Sequence, residues 1–594
     1  MFVNIQNSDI LIALAEAPFE NQRNLAEKTG CSLGNVNKAL RELRAEGLLS
    51  PEHRLTEQAR ELLARSAPKN AIILAAGIGM RMVPINTLVP KALLEVRGEP
   101  LIERIIKQLH EVGVREITVV VGFLKERFDY LIDEYGVKLA VNPAYAEKNN
   151  LSSLAMTEDQ ISNTYVLPSD LWFAENPFRR NELHSWYMVS DRLLEKGEVR
   201  LNRKQELVRL SEDEPGSAMI GLSYLTGADA AELRKRLRSM SGQPKYDGEF
   251  WEAALYRDGK MMIPARVFPA GKVTEINTFE QLRELDSHSG SLRSDALDVI
   301  ARAIPCAPEE ITDISILKKG MTNRSFLFHA RGARYIMRIP GEGTDQLIDR
   351  SHEAAVFRAI EGLGLCDAPV YINPENGYKI TRFLDNVREC DPDSVEDLTR
   401  CMALLRAFHG MDLKVEHSFD IFGQIEFYEA LWNGAPSAYR DYAKTKKNVL
   451  SLRPWIERQP RQWRLTHIDA VPDNFLFYRL PGETEERLQL TDWEYAGMQD
   501  PHVDIAMFCI YSMYDKPRID RLIDIYFEGA CAPAVRAKTY CYVAACGLLW
   551  SNWCEYKRML GVEFGEYSLY QYRYGKDFYR YATELLTEIG EDWK

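Results

Sequence analysis

LTHIDAVPDNFLF, residues 465–477, sets His467, Asp469 and Asn474 at short fixed spacing between apolar runs, and LTDWEYAG, residues 490–497, follows with Asp492. Each apolar run reads as a strand, so the polar side chains fall on the loops where strands end. A loop of this kind brings one carboxylate to an incoming hydroxyl, and an amide and a second carboxylate to a divalent cation on nucleotide phosphates. Asp469 is the expected proton acceptor, and Asn474 and Asp492 are the expected magnesium ligands. Unrelated surface polarity at all four positions is a remote reading.

Working outward, SFLFHA (325–330) and RYIMRIP (334–340) read as strands, and the remainder is mostly helical and rich in Trp and Tyr. A small sheet lobe joined to a larger helical lobe is expected. With that outline, the motif resembles the aminoglycoside phosphotransferase and choline kinase superfamily over residues 295–594. The resemblance implies ATP as donor, a nucleotide-covering hairpin at KKGMTNRSFLF (318–328) and a hinge beside the adenine at ITRFLDN (380–386). It also puts Arg338 of YIMRIPG at a strand position usually given to lysine, with Glu353 of DRSHEAAVF as its helix partner. Arginine keeps the charge but presents a fork in place of a point, so the phosphate geometry must differ.

The superfamily leaves the acceptor open, and the helical lobe has to decide it. Trp550 and Trp553 lie three residues apart on one helix face, Phe564 and Tyr567 follow, and Tyr495 sits beside Asp492. An aromatic stripe of this spacing more often packs a core than lines a site. Here WSNW, DWEY and EFGEY each resemble choline kinase segments, which implies an aromatic cage around a quaternary ammonium. Glu555, Glu563 and Glu566 keep a polycationic aminoglycoside as an alternative.

Further upstream, NAIILAAGIGMRM (70–82) is a β-branched run ending in glycines, and EITVVVG and TYVLPSD alternate with amphipathic stretches such as LIERIIKQLHEVGV. That alternation predicts a parallel sheet with helices on both faces. Ala76, Gly77 and Gly79 let backbone amides approach a triphosphate, although such glycines often serve a turn alone. Arg81 and Lys91 add cations suited to charge on an attacked phosphorus. With PKALLEV (90–96), this segment resembles the nucleotidyltransferases that include sugar-phosphate and CTP:phosphocholine transferases, over residues 68–286. The resemblance extends through VGFLKERFDYL, AEKNNLSSL, PSDLWF and VTEINTFEQL. It implies CTP as donor and Asp170 as a magnesium ligand, with a second ligand from a Glu-Ile-Asp segment. This chain reads Glu275-Ile276-Asn277 there, and a neutral Asn277 removes one negative charge from the site. For the trimethylammonium end, GEFWEAAL offers Trp251 and Glu252, with Phe250 assigned to core packing.

Residues 1–67 read as a winged helix-turn-helix: QRNLAEKTG, then SLGNVNKALRELRAEGLL as recognition helix, then SPEHRLT as a short wing. The resemblance implies that Asn37, Lys38 and Arg41 meet DNA. The same face, with Arg44, equally suits dimerisation or internal regulation. Residues 287–294 (SHSGSLRS) have the composition of a linker. The expected fold is thus multidomain α/β and α+β: a winged helix, a Rossmann-like nucleotidyltransferase and a two-lobed protein-kinase-like domain.

The 594 residues exceed what one core organises, and the formal net charge of −13 excludes a chain-wide nucleic-acid coat. Ten scattered cysteines show no zinc or disulfide spacing, and the N-terminus lacks the pattern of a signal peptide, so a cytoplasmic protein is expected. Both site readings suit one head group: choline plus ATP gives phosphocholine, which with CTP gives CDP-choline for decorating bacterial cell-surface polymers. Three alternatives remain. One is a regulator with a DNA-binding winged helix whose enzyme-like domains sense choline metabolites; the others are an ethanolamine kinase and an aminoglycoside kinase fused to a sugar-phosphate nucleotidyltransferase.

Overall fold

The computed structural model describes residues 4–77, 79, 82–85, 89–202, 206–210, 214–317, 323–340, 348–366, 368–460, 462–480, 482–559, 562 and 564–593. The chain divides into two compact units, one holding residues 1–298 and 313–316, the other residues 299–312 and 317–594.

The first unit opens with helices Ile5–Glu16, Gln22–Thr29 and Leu33–Ala45, each capped by a side chain (Asn4, Asn21 and Ser32) that accepts a backbone N–H of the first turn. A bridge between Leu49 and Leu55 forms the wing, and Glu57–Ser66 follows as a fourth helix. Val36, Ala39, Leu40 and Leu43 bury one face of the third helix, leaving Asn37, Lys38, Arg41 and Arg44 exposed.

The rest of that unit is built on a mixed sheet. Lys138–Val141, Glu116–Val121, Asn70–Ala75 and Thr164–Pro168 run parallel, with Asn70–Ala75 between the second and fourth. Parallel strands covered on both faces need a mostly apolar sequence, and residues 71–75 and 117–121 supply it, interrupted by Thr118 alone. The strands expected to be parallel are so, and beyond Thr164–Pro168 the pairing turns antiparallel at Gly216–Leu225. No short alternating pattern announced Trp186–Leu194 or Gly216–Leu225, because most of their side chains are buried on both faces. Residues 287–294 are anchored: Ser289 donates to the Glu95 carbonyl at 2.5 Å, and Ser291 accepts the Glu95 N–H at 2.9 Å.

In the second unit Asn323–Ala330, Ala333–Pro340, Lys379–Arg382 and Tyr371–Ile372 form consecutive antiparallel neighbours, accompanied by helix Arg350–Ile360. The helical lobe centres on Pro533–Met559, buried almost continuously from Ala537 to Glu555, packed along Glu566–Glu588. Gly547 makes that contact close: a Cβ there would lie 2.5 Å from the Tyr574 Cβ and 2.8 Å from the Gln571 carbonyl. Among the described residues no helix is long and apolar enough to cross a membrane.

Candidate active sites

The strand Arg464–Thr466 delivers the chain into the loop that carries Asp469, and Phe475–Tyr478 takes it out. Ile468 there has φ 72° and Asp492 has φ 64°, a left-handed backbone that costs a β-branched residue such as Ile468 most. Asp504 on helix His502–Tyr511 holds it, accepting the His467 N–H at 3.0 Å and the Ile468 N–H at 2.7 Å. His409 pairs with the same carboxylate at 2.9 Å. The His467 ring hydrogen-bonds the Thr491 carbonyl at 2.8 Å, so this histidine ties the loop to the Asp492 turn. Sequence reading did not find Asp504, which lies far along the chain in an otherwise apolar helix.

Asn474 donates to the Asp469 carbonyl at 2.8 Å and to its carboxylate at 3.2 Å. Burial, then the charges of Asp492 and Glu494, push Asp469 up to about 8. A carboxyl so placed takes a proton readily. Asp469, Asn474 and Asp492 face one cavity of about 800 Å³.

The same cavity is lined by Tyr495, Trp550, Trp553, Phe564 and Tyr567. Their rings form a chain: Tyr495 to Trp550 at 6.1 Å, Trp550 to Trp553 at 5.3 Å, Trp553 to Phe564 at 5.1 Å and Phe564 to Tyr567 at 6.5 Å. Tyr511, which sequence reading missed, continues it 6.1 Å from Tyr567. Glu555 is spent on Ser437 and the Ala438 N–H, and neither it nor exposed Glu566 lines the cavity. Glu563 lies outside the described residues.

A second cavity of about 560 Å³ adjoins it, bounded by the expected hinge residues Phe383, Leu384 and Asn386. Lys379, which lines both, belongs to a buried charge cluster. Arg338 forks onto Glu353 at 2.7 and 2.5 Å, Lys379 reaches Glu353 at 2.9 Å, and Glu494 is 3.5 Å from Arg338. Burial alone would raise Glu353, but the charges of Lys379 and Arg338 outweigh it and hold the carboxyl at about 2. Lys379 and Glu494 were absent from the sequence reading. The hairpin residues 318–322 lie outside the described residues.

In the first unit, a cavity of about 510 Å³ is lined by Ala76, Gly77, Gly79, Lys91 and Asp170. Gly79 has φ 64°, and a Cβ on it would come within 3.2 Å of the Lys91 side chain, so both backbone and space call for glycine. Arg81 lies outside the described residues. Ile276 donates its N–H to the Asp170 carbonyl at 2.9 Å, which brings Asn277 opposite Asp170. Lys91 closes the group, its ammonium bonded to the Asp170 carboxylate and, at 2.7 Å, to Asn277 Oδ1. Asp170 Oδ1 is buried without a partner, an unfilled lone pair on a hard oxygen donor, and Asn277 supplies another such oxygen. The pair fits magnesium by donor type.

The aromatic expectations at GEFWEAAL exchange places. Trp251 is fully buried and packs on Tyr187 at 6.0 Å, so its ring belongs to the core, whereas Phe250, assigned to the core, is 56% exposed. The reason is local: the Trp251 N–H is fixed by Asn150 at 2.8 Å at the start of a short 3-10 turn, which rolls its ring inward. Glu252 accepts from the Tyr187 hydroxyl at 2.9 Å, its other oxygen is buried without a partner, and burial pushes it up to about 7.

One site joins a glycine loop to Lys91 and Asp170, and the other joins Asp469, Asn474 and Asp492 to an aromatic cavity. Residues 71–186 match the MobA-like NTP transferase domain, residues 313–540 the phosphotransferase enzyme family, and residues 10–76 the wHTH-PRTase associated family. The chain is 45% identical over 117 residues to the choline-phosphate cytidylyltransferase of Streptococcus pneumoniae, a match covering 20% of this chain and 51% of that protein. It thus spans about half the length of that relative. It is 32% identical over 225 residues to the 2-aminoethylphosphonate cytidylyltransferase of Lancefieldella rimae, covering 36% of this chain and 92% of that one. The crystal structure of the choline kinase LicA from Streptococcus pneumoniae is similar at 26% identity and TM-score 0.42, covering 48% of this chain and 100% of that one. The chain belongs to the cytidylyltransferases of the MobA-like NTP transferase family.

Proposed function

We propose that residues 295–594 phosphorylate choline with ATP and that residues 68–286 transfer CMP from CTP to the phosphocholine formed, giving CDP-choline in the cytoplasm for bacterial cell-surface polymers. The observation that carries the reading is the aromatic chain from Tyr495 to Tyr567, which shares one cavity with Asp469, Asn474 and Asp492. Aromatic faces attract a quaternary ammonium, which has no N–H to donate, whereas a primary ammonium asks for acceptors. The cytidylyltransferase relative that acts on choline phosphate supports the second half.

In the kinase site Asp469 accepts the proton of the choline hydroxyl as that oxygen attacks the terminal phosphorus of ATP. Asn474 and Asp492 would hold magnesium, which neutralises charge on the phosphates. Arg338, fixed by Glu353, contributes a rigid positive charge. In the nucleotidyl site the glycine backbone admits the triphosphate of CTP, Asp170 and Asn277 would hold magnesium, and Lys91 offsets charge at the α-phosphorus as phosphocholine attacks and pyrophosphate leaves. Glu252 supplies a carboxylate for the ammonium end. The exposed face with Asn37, Lys38 and Arg41 supports a secondary role in local DNA contact or self-association; Lys38 already lies 3.8 Å from Glu42.

The test offers purified protein choline, ethanolamine or an aminoglycoside with ATP, and separately phosphocholine or 2-aminoethylphosphonate with CTP, following ADP and pyrophosphate. Choline-dependent ADP and phosphocholine-dependent pyrophosphate are expected. Absence of the first sinks the kinase half; pyrophosphate from 2-aminoethylphosphonate alone sinks the second.

A further inference from the structure

Lys379 takes no part in the reactions as written above, yet its position is hard to explain as a counter-ion alone. It stands on strand Lys379–Arg382 directly opposite Arg338, so both side chains leave the sheet on one face. It is 9% exposed, and its ammonium lies 4.8 Å from the Phe357 ring centroid. Its hydrogen bond goes to Glu353 Oε1, an oxygen that already accepts from Arg338. An ammonium carries three donors, and burying donors without acceptors is costly. Lys379 therefore holds hydrogen-bonding capacity beyond what Glu353 uses.

Its open side supplies the acceptor's location. Lys379 lines both the hinge cavity and the cavity of Asp469, as do Ile336, Thr381 and Asp492. A nucleotide with its base at the hinge and its terminal phosphate at Asp469 must carry its phosphates across that shared boundary. Arg338 is less available, since Glu353 holds both ends of its fork and Glu494 flanks it.

We propose that Lys379 is a phosphate-binding residue of the kinase site, a point charge from the neighbouring strand doing what Arg338, locked by Glu353, does only at a distance. Glu353 then keeps its charge balanced by Arg338 while Lys379 turns toward the nucleotide. The inference rests on reading the site as an ATP-dependent kinase but not on choline as its acceptor.

The experiment measures ADP and adenosine affinity, and KM for ATP and choline, in the full chain and in Lys379→Met and Lys379→Arg. Loss of one charge-assisted contact should weaken ADP and raise KM for ATP about tenfold in Lys379→Met, leaving adenosine and choline unchanged, with Lys379→Arg recovering part. Equal weakening of ADP and adenosine, or unchanged ADP affinity, overturns it. Should Lys379→Met fail to fold, an ATP acyl phosphate on the wild-type chain decides: an acyl adduct on Lys379, suppressed by ADP, is expected, and adducts only on other lysines overturn it. A wild type that makes no choline-dependent ADP defeats the choline reading while leaving the ADP comparison intact.

Discussion

On the proposed function the kinase site and the nucleotidyl site face similar substrates, a nucleoside triphosphate and a choline head group, and they are built by opposite means. Around Asp469 the protein prepays its electrostatics: Arg338, Lys379, Glu353 and Glu494 are buried and mutually bonded, and the aromatic rings already touch. Around Lys91 there is one bridge, from Asp170 through the ammonium to Asn277, and a glycine loop whose backbone does the receiving. Tyr495 to Tyr567 line the kinase cavity with rings, whereas the nucleotidyl unit buries its Trp251, and the proposed partner of the ammonium there is the buried carboxyl of Glu252. A cage of rings is indifferent to pH, while a buried carboxylate is not. The same ligand can therefore carry different pH dependence at the two sites.

Four substitutions test that contrast. Asp469→Asn removes the proton acceptor and should lower choline-dependent ADP formation about 10³-fold, leaving pyrophosphate release from phosphocholine and CTP untouched. A matching loss in both activities would mean the sites are not independent. Asp170→Ala should do the reverse, cutting pyrophosphate release by about 10²-fold with ADP formation unchanged; full residual activity would move the metal ligand elsewhere. Trp553→Ala opens the cage and should raise KM for choline about 30-fold, the equivalent of a desolvated cation–π contact of ~2 kcal/mol, with KM for ATP constant. Unchanged choline kinetics would return Trp553 to the core.

The smallest effect sharpens the contrast most. Glu252 is held up at about 7 by burial, so it is neutral below that pH and charged above it. Attraction for the ammonium is present above about pH 7 and lost as pH falls, and KM for phosphocholine should rise about tenfold from pH 8 to pH 6. The phosphate of the substrate titrates near pH 6 as well. Glu252→Gln separates the two, since the variant should keep only the substrate's own dependence. A profile identical in both chains would remove Glu252 from the site.

Much of the kinase site could be read directly because its residues are close in sequence. Asp469 and Asn474 share one loop, Asp492 follows the next strand, and Trp550 and Trp553 share one helix, so local spacing already fixes which side chains stand together. The glycine loop and Lys91 were legible for the same reason, a strand ending in residues that only a turn or a phosphate requires. Phe250 and Trp251 were not, because adjacent aromatic residues on a short 3-10 turn face opposite ways, and which one enters the core depends on Asn150, a hundred residues earlier. The antiparallel half of the sheet was hidden because strands buried on both faces carry no alternation.

By itself, the sequence determined which groups each loop carries: the carboxylates Asp469 and Asp492 with the amide Asn474, the glycines beside Lys91, and the rings of Trp550 and Trp553. Only the tertiary structure decided which distant groups set the state of those residues. Asp504 holds the strained Ile468, Glu353 accepts both Arg338 and Lys379, and burial raises Asp469 and Glu252. The physical reason is that a hydrogen bond or a charge shift depends on separation in space and on the exclusion of water, and neither quantity is a property of local sequence.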